Sequence, residues 1–115
     1  MAKQPLVAIV IVNWNGGQTV INCIKSLAMT SYPNYKVVLV DNGSTDDSLE
    51  KILKIRPDMH VIKLDKNYGY TVGTNVGWRY GLKKLKADYI CAMDSDIVTV
   101  QKNWLDIQIK ELEKS

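Results

Sequence analysis

A chain of 115 residues is one ordinary domain's worth of polypeptide, long enough to enclose a single core and too short for two. With 46% hydrophobic and 23% charged residues, and only 7 Gly and 3 Pro, the composition excludes the disordered, collagen-like and disulfide-scaffold classes. The net charge of +3 comes from 15 basic and 12 acidic residues scattered along the chain, without the basic tract and interleaved aromatics of a nucleic-acid binder, so no nucleic-acid partner is expected.

The continuous β-branched run from Leu6 to Val12 is what a strand covered on both faces needs, as in a parallel sheet. After the turn Asn13-Trp14-Asn15-Gly16-Gly17, apolar Val20, Ile21, Ile24, Leu27 and Ala28 recur at helical spacing, and Pro33 lies beyond them. Tyr35 to Val40 is a second β-branched strand, closed by the turn and cap formers from Asp41 to Asp47. Ser48 to Ile55 reads as a helix stopped by Arg56-Pro57, and His60 to Leu64 as a short strand. Thr71 to Lys86 reads as a third helix, Tyr89 to Met93 as a fourth strand, and Trp104 to Leu112 as a closing helix capped by Asn103. Strands alternating with helices define βαβ units, and these predict an α/β fold with an open, mainly parallel sheet flanked by helices. No repeat or linker divides residues 1–115, so a single domain is expected.

Cys23 and Cys91 stand in apolar stretches with no paired spacing and are expected as buried, reduced thiols. No apolar run approaches the roughly 20 residues of a membrane span, and no signal segment opens the chain. A cytoplasmic domain without a span of its own follows, although a longer protein could hold it at a membrane. His60 reads as a strand-edge residue, and Trp14, Trp78 and Trp104 as packing residues.

In open α/β sheets ligands bind beyond the carboxyl ends of the strands. Here those ends carry Asn13 and Asn15, then Asp41, Asn42 and Ser44, then Asp65 and Asn67, then Asp94 and Asp96. Asp94-Ser95-Asp96 sets two carboxylates at a strand end, where a hard cation such as Mg²⁺ or Mn²⁺ is held by one or two carboxylates and substrate phosphates. Gly73, Gly77 and Gly81 strip one face of the third helix of side chains, at about 1 kcal/mol each in helix propensity, which implies close approach to the sheet or a ligand. Neither the dinucleotide fingerprint nor the P-loop is present.

Four motifs occur in order: Val7-Ala-Ile-Val-Ile-Val-Asn-Trp-Asn-Gly16, Val40-Asp-Asn-Gly-Ser-Thr-Asp46, Asn67-Tyr-Gly69 with Gly73-Thr-Asn-Val-Gly77, and Asp94-Ser-Asp96. Together, over about Pro5 to Val100, they resemble the family 2 glycosyltransferases of the GT-A fold, and their asparagine-rich forms look most like its rhamnosyltransferase-like branch. The resemblance implies an inverting, metal-dependent transferase that takes a sugar from a nucleoside-diphosphate donor to a saccharide or lipid-linked acceptor. It implies that Val12, Asn13 and Asn15 line the nucleotide pocket, that Asp41 bonds the base with Asn42 and Ser44 beside it, and that Asn67, Gly69 and Asn75 approach the nucleotide. Asp94 would face the ribose or the metal, and Asp96 would ligate Mn²⁺ or Mg²⁺. Complete catalytic domains of the family are about twice as long and carry the acceptor site and the general base in their second half, for which this chain offers no candidate. An N-terminal donor-binding half, inactive alone and prone to self-association through an uncovered sheet edge, is therefore expected. The competing reading is a non-catalytic binding or interaction module with the same fold; a receiver-like signalling domain fits less well, lacking its Lys and Ser/Thr partners.

Overall fold

The computed structural model describes residues 4–114. Strand and helix alternate through β1 (Val7–Asn13), α1 (Gly17–Leu27), β2 (Tyr35–Asn42), α2 (Ser48–Ile55), β3 (His60–Leu64), α3 (Tyr70–Lys83), β4 (Tyr89–Met93) and α4 (Trp104–Glu113). The strands form one four-stranded sheet in the order β3-β2-β1-β4, and every pairing is parallel. The open, parallel α/β architecture predicted from the sequence is the one observed.

Side chains alternate across the sheet with a period of two, so each strand feeds two cores. Val7, Ile9 and Ile11 of β1 and Val37 and Leu39 of β2 join Val20, Ile24 and Leu27 of α1, Ile52 of α2, and Leu105 and Ile109 of α4 on one face. Ala8, Val10, Val38 and Val40 point the other way, where Val76 and Tyr80 of α3 pack on them. The cores account for the hydrophobic runs of β1 and β2, which are covered on both faces.

Four elements differ from expectation. β1 and β2 extend past their apolar runs to Asn13 and Asn42, because the parallel register continues through Asn13 opposite Asp41 and Asn42 opposite Leu64. α3 ends at Lys83 rather than Lys86: the chain turns through Lys86 at φ 55°, and Ala87 N donates to Gly81 O at 2.9 Å. Asn103 precedes α4 but makes no side-chain capping bond.

The glycine face of α3 meets the sheet. A Cβ on Gly77 would lie 2.4 Å from Val10 Cγ1 and 3.0 Å from Val40 Cγ2, and one on Gly81 2.7 Å from Ile90 Cδ1. The loss of helix propensity is thus offset by a close helix-to-sheet contact that only hydrogen side chains allow.

Of the tryptophans, Trp104 is half-buried and donates Nε1 to Thr30 Oγ1 at 3.0 Å, whereas Trp14 and Trp78 are 55% and 50% exposed and do not serve the packing role expected of them. His60 lies on the edge strand β3, as expected, with Nδ1 3.0 Å from the Tyr80 hydroxyl. Both cysteines are free, but only Cys23 is fully buried; Cys91, on edge strand β4, is half-buried. Burial, with a contribution from the Asp96 carboxylate, pushes the Cys23 thiol up to about 11, and burial also raises Cys91.

Two outcomes follow from this packing. Gly77→Ala should gain about 1 kcal/mol of helix propensity and lose about 1–3 kcal/mol to overpacking, lowering the urea midpoint. Because the folded Cys23 thiol titrates above its ordinary 9.0, the neutral form that favours the fold persists to about pH 11. At pH 8, Ellman's reagent should therefore label Cys91 slowly and Cys23 only after denaturant is added.

Candidate functional site

The carboxyl ends of β1 and β2 finish in a pair of residues that face each other in register, Asn13 and Asp41. Both continue the face of the sheet that carries α1 and α2, and both are buried. The Asn13 amide nitrogen donates toward Asp41 Oδ1 (3.1 Å), Ser48 Oγ (3.1 Å) and Ser44 Oγ (3.3 Å), while its oxygen accepts from Gly16 N at 3.1 Å. The other Asp41 oxygen accepts from Ser44 N at 3.3 Å. Gly16 has to be small here, since a Cβ would stand 2.5 Å from Asn13 Oδ1.

The loops above this pair are tied by polar side chains. Asn15, at φ 48°, accepts from Thr45 N at 2.7 Å and Asp46 N at 3.1 Å, and its own N–H donates to Ser44 Oγ at 2.9 Å. Asp46 accepts from Ser48 Oγ at 2.5 Å, Ser48 N at 3.2 Å and Gly17 N at 3.2 Å, so one carboxylate joins the starts of α1 and α2. The Ser48 hydroxyl bond, aided by the backbone N–H donors, holds its pKa below the ordinary carboxylate value, as expected for an anion at two helix N-termini.

Asn42 points to the opposite face and pins the entry to α3. Its Nδ2 donates to Gly69 O at 3.0 Å and its Oδ1 accepts from Tyr68 N at 3.0 Å. Asn67 Oδ1 accepts from Gly69 N at 2.8 Å. Gly43, at φ 76°, lets the β2 loop touch the β3 loop: a Cβ would fall 2.6 Å from Lys66 Cα.

At the end of β4, Asp94 and Asp96 are both exposed, and Asp94 O accepts from Ile97 N at 3.1 Å to close a turn. Tyr70, the first residue of α3, donates its hydroxyl to Asp94 Oδ1 at 3.0 Å. Among the described residues no group of three or more His, Cys, Asp or Glu side chains is placed to hold a metal ion. Two exposed carboxylates do not make a closed all-protein cage, and could serve a hard cation only with oxygens from water or a bound ligand.

The structure thus unites Asn13, Asn15, Asp41 and Ser44 in one network, and Asn42, Asn67 and Gly69 in a second. Val12 faces α3 beside Gly73. Asn13 and Asn42 are internal pins whose amides are spent on protein partners. Asn75 stands apart, exposed in a groove beside β4 with Thr74, Trp78 and Ile90. Sequence reasoning passed over Trp14, exposed at the end of β1, as well as Asp46, Ser48 and Tyr70. Only Asp46 carried a signal, as one of the turn and cap formers before α2. Asn13→Ala should cost about 2–3 kcal/mol in urea unfolding, because it leaves the buried Asp41 carboxylate short of a donor.

An open parallel sheet with polar loops and carboxylates at its carboxyl edge is a ligand-binding frame that many classes of α/β protein share. The chain belongs to glycosyl transferase family 2, whose family model matches residues 8–115. It is 29% identical over 96 residues to the putative teichuronic acid biosynthesis glycosyltransferase TuaG of Bacillus subtilis, covering 81% of this chain and 36% of that protein. It is 33% identical over 91 residues to the UDP-Glc:alpha-D-GlcNAc-diphosphoundecaprenol beta-1,3-glucosyltransferase WfaP of Escherichia coli, covering 79% of this chain and 35% of that one. Among solved structures, S. aureus TarS 1-349 in complex with UDP superposes with a TM-score of 0.80 at 24% identity, over 95% of this chain and 32% of that one. The mannosyltransferase PcManGT of Pyrobaculum calidifontis, in complex with GDP-Man and Mn²⁺, superposes with a TM-score of 0.76 at 17% identity, over 96% and 32%. These two likenesses establish the GT-A fold. The chain spans about a third of the length of these two relatives.

Proposed function

We propose that this chain binds the nucleoside-diphosphate part of a UDP-sugar at the carboxyl edge of its sheet, as the donor half of an inverting glycosyltransferase. The observation that carries the reading is the convergence on one sheet edge of an exposed ring, a buried carboxylate and an exposed carboxylate pair, Trp14, Asp41 and Asp94 with Asp96. Trp14 offers a face for a base to stack on. Asp41, with lone pairs beyond those used by Asn13 and Ser44, accepts from a base N–H. Asp94 and Asp96 would hold Mg²⁺ or Mn²⁺, which supplies charge neutralisation to the departing diphosphate. Uridine is favoured because WfaP is named for a UDP-sugar and TarS is complexed with UDP. In the full reaction an acceptor hydroxyl attacks the anomeric carbon, the bond from that carbon to the diphosphate oxygen breaks with inversion, and the hydroxyl proton passes to a base. We place that base and the acceptor site in the part of the longer relatives that this chain does not match, so these residues bind donor without transferring it alone.

Among the described residues β4 pairs only with β1, and exposed Trp78, Leu82, Ile97 and Val98 lie in the grooves on either side of it. This edge is the proposed surface for self-association, and sedimentation showing monomer alone at high concentration would count against it.

Calorimetric titration tests the donor reading. UDP should bind more tightly with Mn²⁺ than without it and more tightly than GDP, and Asp96→Asn should remove the metal-dependent part. Trp14→Ala should weaken UDP about tenfold, in keeping with base stacking of about 1–3 kcal/mol. A folded chain that binds no nucleotide would support the non-catalytic reading instead.

A further inference from the structure

An exposed aspartate just past a strand end is free to sample several rotamers, and a site that must meet a cation gains from fixing one of them. The Asp94 carboxylate is not left free. Its Oδ1 accepts from the Tyr70 hydroxyl, which reaches it from the opposite side of the strand-end loops at 3.0 Å.

The tyrosine is itself held where it starts α3. Gly69, just before it, is bonded through its oxygen to Asn42 Nδ2 at 3.0 Å and through its nitrogen to Asn67 Oδ1 at 2.8 Å. One turn further, Gly73 sits so close to β1 that a Cβ would be 3.0 Å from Val12 Cγ1. The first turn of α3 can therefore neither slide along the sheet nor lift from it without breaking these contacts. A bond from so anchored a phenol transmits the position of β2 and α3 to the end of β4.

We infer that Tyr70 is a positioning residue for the donor site: its hydroxyl holds Asp94 in one rotamer, with Oδ1 occupied and Oδ2 presented to the cation on the diphosphate. The inference rests on the reading of Asp94 and Asp96 as the carboxylates that receive that cation. Tyr70 is 53% exposed, so its hydroxyl contributes to this bond and little to the core. Tyr70→Phe therefore removes one hydrogen bond and leaves the fold in place.

The test is Mn²⁺ affinity of the whole chain in the presence of UDP, read from the loss of the free-ion electron paramagnetic resonance signal. The variants are Tyr70→Phe, Asp94→Asn, their double mutant and Asp96→Asn. Tyr70→Phe should weaken Mn²⁺ about fivefold, the net scale of one ordinary hydrogen bond, with an unchanged thermal midpoint. Asp94→Asn should weaken it further, and the double mutant should be no worse than Asp94→Asn, since the phenol then has no carboxylate to orient. Losses that add in the double mutant, or wild-type affinity in Tyr70→Phe beside a clear loss in Asp94→Asn, would overturn the inference and leave the donor reading standing. Wild-type affinity in both Asp94→Asn and Asp96→Asn would overturn the donor reading and the inference together.

Discussion

The hydrogen bond from Asn13 to Asp41 is the constraint on which the site depends. A carboxylate with 3% of its surface exposed has lost nearly all its water, and without donors its oxygens would be left unsatisfied in the interior. The parallel register sets Asn13 directly beside it, at the one position where an amide can donate across neighbouring strands. The same amide reaches Ser44 and Ser48, and its oxygen takes the Gly16 N–H. One buried side chain thus fixes two strands, the start of α1, the start of α2 and the β2 loop relative to one another. An asparagine suits the position because it offers both a donor and an acceptor without adding charge next to Asp41.

A second constraint acts from the other face. The glycines of α3 let its backbone approach Val10, Val12 and Ala8, and Asn42 ties the loop before it to β2. Helices α1, α2 and α3 consequently all begin at the edge where β1 and β2 end, and their N-terminal partial charges favour an anion there. Part of that field is met internally by Asp46, which bridges α1 and α2. The carboxylates Asp94 and Asp96 would oppose an anion by themselves, and in the proposed reading a divalent cation between them and a diphosphate would reconcile the two halves of the site.

Much of this was legible in the sequence because the apolar periodicities are strong. α2, β3 and β4 have the limits that Arg56-Pro57, the β-branched runs and the following polar residues predict, and the glycine repeat of α3 pointed to a close approach that the structure contains. What remained hidden concerns polar side chains at strand ends. Asn13 and Asn42 carry the same residue type as Asn15 and Asn67 and sit in equally polar motifs, yet two are buried pins and two are exposed, because Asn13 and Asn42 are the last residues of their strands and Asn15 and Asn67 lie in the loops beyond. Trp14 looks like a core residue by composition, but it follows a strand end rather than lying within a strand, and so its ring faces solvent. Tyr70 gave no signal, since its partner Asp94 lies 24 residues away across the sheet edge.

The measurement that bears most directly on this account is ¹⁵N nuclear magnetic resonance of the labelled chain with UDP, first with Mg²⁺ and then with a small fraction of paramagnetic Mn²⁺. The account predicts that UDP with Mg²⁺ shifts the amides of Trp14, Asn15 and the Asp41 to Thr45 loop, and that Mn²⁺ broadens Asp94, Ser95, Asp96 and Tyr70 before any others. Broadening centred on another acidic segment, such as Asp46 and Asp47, or shifts confined to β3 and the outer side of α3, would contradict it.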